Sequence, residues 1–331
     1  MADCVMASFD VKSLFTNIPL KETIDISINN LFETDEEIVL GFSKKQLKNL
    51  LTLAVNNCIF LFNEKFYVQV DGCAMGSPIG PTLANIFLSY YEKIWMEECP
   101  ADFKPLLYRR YVDDTFLIFR KREDIPLFLE YLNSKHRNIE FSSETEDNSK
   151  LPFLDIEITR TENGFQTSIY RKPTFTGLST KFTSFIPIQY KRNLVSTLIY
   201  RAFNICSNYI SFHNEVTYLR KLLFNNGFPY NFTDTHIGKA LNKIMSGGNI
   251  KTTTVEKRLM YFSTPYAGSH SFQMKRKLKE LFNEFYPQVS LKVVFKAINP
   301  IKNFFSIKEK VPIYLRSKVV YKYKCDCCNA S

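Results

Sequence analysis

Two adjacent carboxylates, Asp113 and Asp114, fall in a short reversal between two apolar, aromatic runs: Leu106, Leu107, Tyr108 and Tyr111 before it, Phe116 to Phe119 after it. Carboxylates held side by side in such a turn repel one another and lose hydration, a strain that a divalent cation relieves. A third, Asp10, ends the alternating stretch Cys4 to Asp10, in which Val5, Ala7 and Phe9 share one face. If the two stretches are neighbouring strands, the three carboxylates form a ligand set that, with substrate phosphates, suits Mg²⁺. Two ions so held lower the pKa of an attacking hydroxyl and stabilise the leaving oxygen of an in-line phosphoryl transfer. An Asp-Asp dipeptide alone is common in surface turns, so its meaning depends on the surroundings.

The elements that must position these groups follow from periodicity. Lys21 to Phe32 and Ser43 to Val55 have helical spacing, the second with Leu47, Leu50, Leu51 and Ala54 in a stripe. A hairpin is expected over Ile59 to Val70, turning at Asn63-Glu64-Lys65. The glycine-rich segment 71–78 then leads into a long helix reaching about Glu98, with Ser77 before Pro78 as its natural cap. A second hairpin over Leu106 to Phe119, a helix from about Glu123 to His136 and strands at Ile139 to Ser143, Leu151 to Thr159 and Phe165 to Arg171 complete the first half. Strands and helices in this order predict an α+β fold, a sheet layered with helices. Beyond Pro173 the texture turns helical: Lys191 to Phe203, Glu215 to Phe224 after a capping Asn214, and Ser269 to Phe285, with strand-like Leu291 to Ala297 and Lys318 to Tyr323. Ser246-Gly247-Gly248-Asn249 is the best linker.

Across 331 residues, 45% hydrophobic and 23% charged side chains describe an ordinary globular balance, which excludes a disordered tail, a collagen or a coiled coil. No apolar run reaches the roughly 18 to 20 residues that span a bilayer, and the N-terminus lacks a signal-peptide pattern. The expectation is a soluble intracellular protein, nuclear or cytoplasmic, with no membrane partner. Its eight cysteines lack the spacing of a disulfide framework and read as reduced thiols. The net charge of +10 is unevenly divided: residues 1–160 carry −8 and residues 161–331 carry +18. Such a split suggests a cation-binding site tethered to a polyanion-binding surface.

The context of the carboxylates resembles polymerase motifs in the order of a reverse transcriptase palm. Phe9-Asp10-Val11-Lys12-Ser13-Leu14-Phe15-Thr16-Asn17-Ile18-Pro19 is similar to the first carboxylate motif. Gly72 to Pro81 resembles the template- and nucleotide-positioning motif, Tyr111-Val112-Asp113-Asp114 the signature turn, and Leu151-Pro152-Phe153-Leu154-Asp155-Ile156 the primer-grip hairpin. Within that superfamily the wording, including Tyr170-Arg171-Lys172-Pro173-Thr174, resembles Penelope-like retroelements. Ser263 to Lys322 looks like that family's connector to a GIY-YIG endonuclease, and Cys325-Asp326-Cys327-Cys328 like the endonuclease's interrupted first strand rather than a zinc site.

The resemblance implies a right-hand polymerase palm with antiparallel sheet and helices over 1–172, most of the fingers missing, a mainly helical thumb over 173–250 and a connector over 251–331. It implies RNA-directed DNA polymerase activity with two Mg²⁺ or Mn²⁺ ions on Asp10, Asp113 and Asp114, an RNA template, a DNA primer and deoxynucleoside triphosphates. Phe15 matches the aromatic that blocks a 2′-hydroxyl, its alternative being a core phenylalanine; Gly76 and Lys12 are expected near the nucleotide. Met75 stands where many reverse transcriptases have glutamine. In the basic half, Lys191, Arg192, Arg201, Arg220 and Lys221 are expected to meet phosphates. Only nine residues precede Asp10, so the alternative reading is an inactive remnant that binds RNA or RNA–DNA duplex.

Overall fold

The computed structural model describes residues 4–32, 37–56, 58–74, 76–162, 164–246 and 258–296. Met75, the linker residues 247–249, the strand expected at 318–323 and the three C-terminal cysteines lie outside that set. The described residues divide into two compact units at Thr145 and Glu146, so the expected palm boundary at 172 falls inside the second.

In the first unit, β1 (Val5–Val11) is followed by the short α1 (Leu14–Asn17), α2 (Leu20–Leu31), the two-residue strands β2 (Ile38–Val39) and β3 (Phe42–Ser43), and α3 (Lys44–Val55). The hairpin β4 (Ile59–Phe62) and β5 (Lys65–Val68) precedes α4 (Gly80–Glu98), β6 (Leu107–Tyr111), β7 (Asp114–Phe119), α5 (Asp124–Asn133) and β8 (Phe141–Thr145). The main sheet has the order β6-β7-β1-β8, antiparallel throughout. Alternation decides its faces. Ala7, Phe9 and Val11 of β1, Leu117 and Phe119 of β7 and Phe141 of β8 point into one core with Phe87, Leu88 and Trp95 of α4 and Phe128 of α5. The other face carries Ser8 and Asp10. A second core of Leu20, Ile24, Ile28, Val55 and Leu83 fastens α2 and α3 to α4.

Local chemistry sets several boundaries. Helix α3 opens on a capping box, Ser43 and Gln46 exchanging bonds with each other's backbone N–H. Helix α4 starts at Gly80, later than the expected Ser77-Pro78: Ser77 and Gly80 close successive turns onto Ala74 and Ser77, and Pro81, which has no N–H to lose, takes the first helical turn instead. The β4–β5 turn has positive φ at both Asn63 and Glu64, the signature of a type I′ turn matched to strand twist.

The second unit opens with a three-stranded antiparallel sheet, β9 (Lys150–Phe153), β10 (Ile156–Thr161) and β11 (Gly164–Ile169). The strand expected over 151–159 is thus a hairpin, folded at Leu154, whose φ is 55°. Helices α6 (Ile188–Ile205), α7 (Tyr209–Asn225) and α8 (Tyr230–Met245) share a core of Val195, Ile199, Leu219, Leu223, Phe228 and Ile237. Helix α7 begins six residues before the expected Glu215 because Asn208, not Asn214, caps it, accepting from Ser211 N at 2.8 Å. Last come β12 (Arg258–Pro265), which periodicity had not indicated, α9 (Ser269–Phe285) and β13 (Val289–Lys296), with β12 and β13 parallel. The five described cysteines are free thiols. Among the described residues no helix is long and apolar enough to cross a membrane.

Candidate functional site

Register brings the three aspartates together. Asp10 lies opposite Asp114 on one side and Ser142 on the other, and Asp114 lies opposite Tyr111. Tyr111, Asp114, Asp10 and Ser142 therefore form one row across all four strands, on the face away from the core. Asp113 sits beside that row in the β6–β7 turn, and its carbonyl accepts Val11 N–H at 3.1 Å, tying the turn to β1. The carboxyl of Asp10 is pushed above the ordinary value of 3.8, first by burial, then by the charges of Asp113 and Glu144. Like charges from Asp113 and Glu144 at Asp10 make the approach of a cation favourable there. Among the described residues no group of three or more His, Cys, Asp or Glu side chains is placed to hold a metal ion, so the fit to a cation rests on the charge crowding at Asp10 and on an all-oxygen donor set.

Glu144 belongs to this face and was not singled out from the sequence. It lies opposite Ser8, one row from Asp10. The alternation in Phe141-Ser142-Ser143-Glu144 carries that signal once β8 is known to pair with β1.

Residues 2–146 match the family described as reverse transcriptase (RNA-dependent DNA polymerase). Over this part, the chain is similar to reverse transcriptase domains. Residues 178–238, covering α6, α7 and most of α8, match a second family, the animal helix-turn-helix domain. No curated protein gives a significant match. Among solved structures, telomerase from Candida albicans in complex with a fragment of telomeric RNA is similar at 12% identity and TM-score 0.48, over 72% of this chain and 40% of that one. Apo telomerase from Candida tropicalis is similar at 12% identity and TM-score 0.44, over 74% of this chain and 43% of that one. The chain spans less than half the length of each.

Within residues 2–146, Lys12 is half exposed and paired with Glu140, Nζ to Oε1 at 2.5 Å. Phe15 is partly buried on α1, where it packs against both cores of the unit, and its carbonyl accepts Cys73 N–H at 2.6 Å. Asp71 accepts from Leu20 N at 3.0 Å and Gly72 N at 2.8 Å, anchoring the segment on the start of α2. Gly72 has φ 80°, and a Cβ there would stand 2.4 Å from Thr16 O, so only glycine allows this approach. Gly76 has φ 91° with open space around it; its backbone conformation, not crowding, calls for glycine.

The helical unit treats its cations differently. Lys191 is buried, its ammonium 4.9 Å from the Phe182 ring centre. Arg201 pairs with Asp155 at 3.0 Å and Arg220 with Asp234 at 2.8 Å. Arg192 and Lys221 are exposed. Arg171 donates both arms to the buried Glu215, one at 2.9 Å, and lies 4.0 Å from the Tyr218 ring centre.

Proposed function

We propose that this chain is the palm, thumb and connector of an RNA-directed DNA polymerase of the Penelope-like retroelement type, extending a DNA primer on an RNA template. The observation that carries the reading is the pairing of Asp10 with Asp114 on the outer sheet face of the segment that matches the reverse transcriptase family, with Asp113 crowding Asp10 from the adjoining turn. Asp10, Asp113 and Asp114 would hold two Mg²⁺ or Mn²⁺ ions. When bound, such ions supply activation of the primer hydroxyl and stabilisation of the leaving oxygen. The chain's own part is to hold the carboxylates in register on β1 and β7 and to fix their turn.

Phe15, at the first helix after β1, is proposed to lie under the sugar of the incoming deoxynucleotide, with Lys12 and Gly76 flanking the nucleotide. Release of Lys12 from Glu140 is then part of binding. Phosphate contacts in the thumb are assigned to Arg192 and Lys221, with Arg201 and Arg220 reached by exchange of their surface carboxylate partners, whereas Lys191 packs inward. The wording of the motifs, including Tyr170 to Thr174, supports the Penelope-like assignment. The test is primer extension with Mg²⁺ or Mn²⁺, comparing the parent chain with Asp113→Asn. Extension by the parent alone is expected; equal extension by both removes the catalytic assignment. Steeply salt-dependent duplex binding with no extension favours the binding-only alternative.

A further inference from the structure

The turn that carries Asp113 is held from beneath by one buried cation. Arg110 precedes the turn on β6 and lies opposite Thr115, a fully buried residue, so by alternation it points to the core side, away from Asp10 and Asp114. A charge at an inward strand position needs partners, and helix α4 supplies a stripe of them. Arg110 donates Nε to Glu92 Oε1 at 2.6 Å, Nη2 to Ser89 Oγ at 3.0 Å and Nη1 to Asn85 Oδ1 at 3.1 Å. Nη1 also donates to the Val112 carbonyl at 2.9 Å, inside the turn itself. The Arg110 side chain is only 7% exposed and that of Glu92 only 13%. Tyr108, two residues before it on the same face, donates to the same Glu92 oxygen at 2.6 Å.

What this anchor holds is an unfavourable backbone. Val112 has φ 59°, a region that a β-branched residue avoids, while Asp113 keeps a negative φ. These are the φ signs of a type II′ turn, whose first central position normally takes glycine. A buried ion pair does not by itself favour stability over well-packed apolar side chains, so the fork's geometry is the property that distinguishes it from a hydrophobic replacement. Lysine carries the charge but cannot reach helix and turn carbonyl together.

We infer that Arg110 is the positioning residue of the polymerase site: it locks the strained Val112 peptide and so fixes the Asp113 carboxylate for the ion. This rests on the polymerase reading of the turn. The test uses the full chain, with Mn²⁺ binding followed by electron paramagnetic resonance and primer extension resolved into kcat and KM. For Arg110→Lys we expect about tenfold weaker Mn²⁺ binding and about tenfold lower kcat, the scale typical of residues that orient metal ligands, with KM for the nucleotide unchanged. Adding Val112→Gly, which makes positive φ easy, is expected to restore most of the Mn²⁺ affinity. Should Arg110→Lys fold poorly, Asn85→Ala leaves the Glu92 pair intact and is expected to weaken Mn²⁺ binding measurably. Unchanged Mn²⁺ binding in the folded variant, or a loss that Val112→Gly does not restore, overturns the inference and leaves the polymerase reading standing. A parent chain that binds no Mn²⁺ overturns both.

Discussion

The carboxylate face of the four-stranded sheet and the helical unit handle charge in opposite ways. On the sheet, Asp10 is crowded by Asp113 and Glu144, and like charges are left to repel. In the second unit, charges are matched within the chain: Arg171 with Glu215, Arg220 with Asp234, and Arg201 with Asp155. The first arrangement costs stability unless something positive enters; the second is satisfied as it stands. Net charge therefore means different things in the two regions. Part of the acidic balance of the first is gathered around Asp10, while part of the basic excess of the second is paired within the fold.

The largest effect is expected on the carboxylates: Asp113→Asn should lower primer extension about 10³-fold, as removal of several kcal/mol of charge stabilisation requires, with the circular dichroism spectrum unchanged. In the helical unit the corresponding change acts on folding instead. Glu215→Ala strands the Arg171 guanidinium and should cost about 3 kcal/mol, read as a lower urea midpoint at unchanged slope. Gly72→Ala, which drives a methyl into Thr16 O, should cost about 2 kcal/mol, read the same way on the first unit. Arg192→Ala with Lys221→Ala should leave stability unchanged and reduce the salt slope of duplex binding by about 1 to 2. The smallest effect is expected for Asp10→Asn in chelator. A carboxyl whose pKa is raised in the fold penalises the native state above that pKa and ceases to do so as pH falls towards 3.8. The variant should therefore melt slightly higher than the parent at neutral pH and equally at acid pH.

Much of the site was legible in the sequence because it depends on strand alternation and short-range turns. Val5 to Asp10 and the apolar runs around Asp113-Asp114 specify three strands, and the polymerase-like wording places them side by side. What was not legible depends on pairing between distant segments. Glu144 joins Asp10 only through the β1–β8 register, and Arg110 reads as a surface charge until α4 is known to lie beneath it. Lys191 looks like its exposed neighbour Arg192 in a linear string; burial against Phe182 separates them. The start of α4 was misplaced because Ser77-Pro78 and Gly80-Pro81 offer competing helix entries, and the turns closed by Ser77 and Gly80 decide for the second. Strand β12 escaped because its residues, Leu259 to Phe262, run apolar without alternation.

Calorimetric titration of the metal-free protein with Mn²⁺ decides whether the crowded carboxylates take up a cation. The parent should bind Mn²⁺ and Asp113→Asn should bind it far more weakly at unchanged fold; equal binding by the two proteins would mean that no cation sits on Asp113.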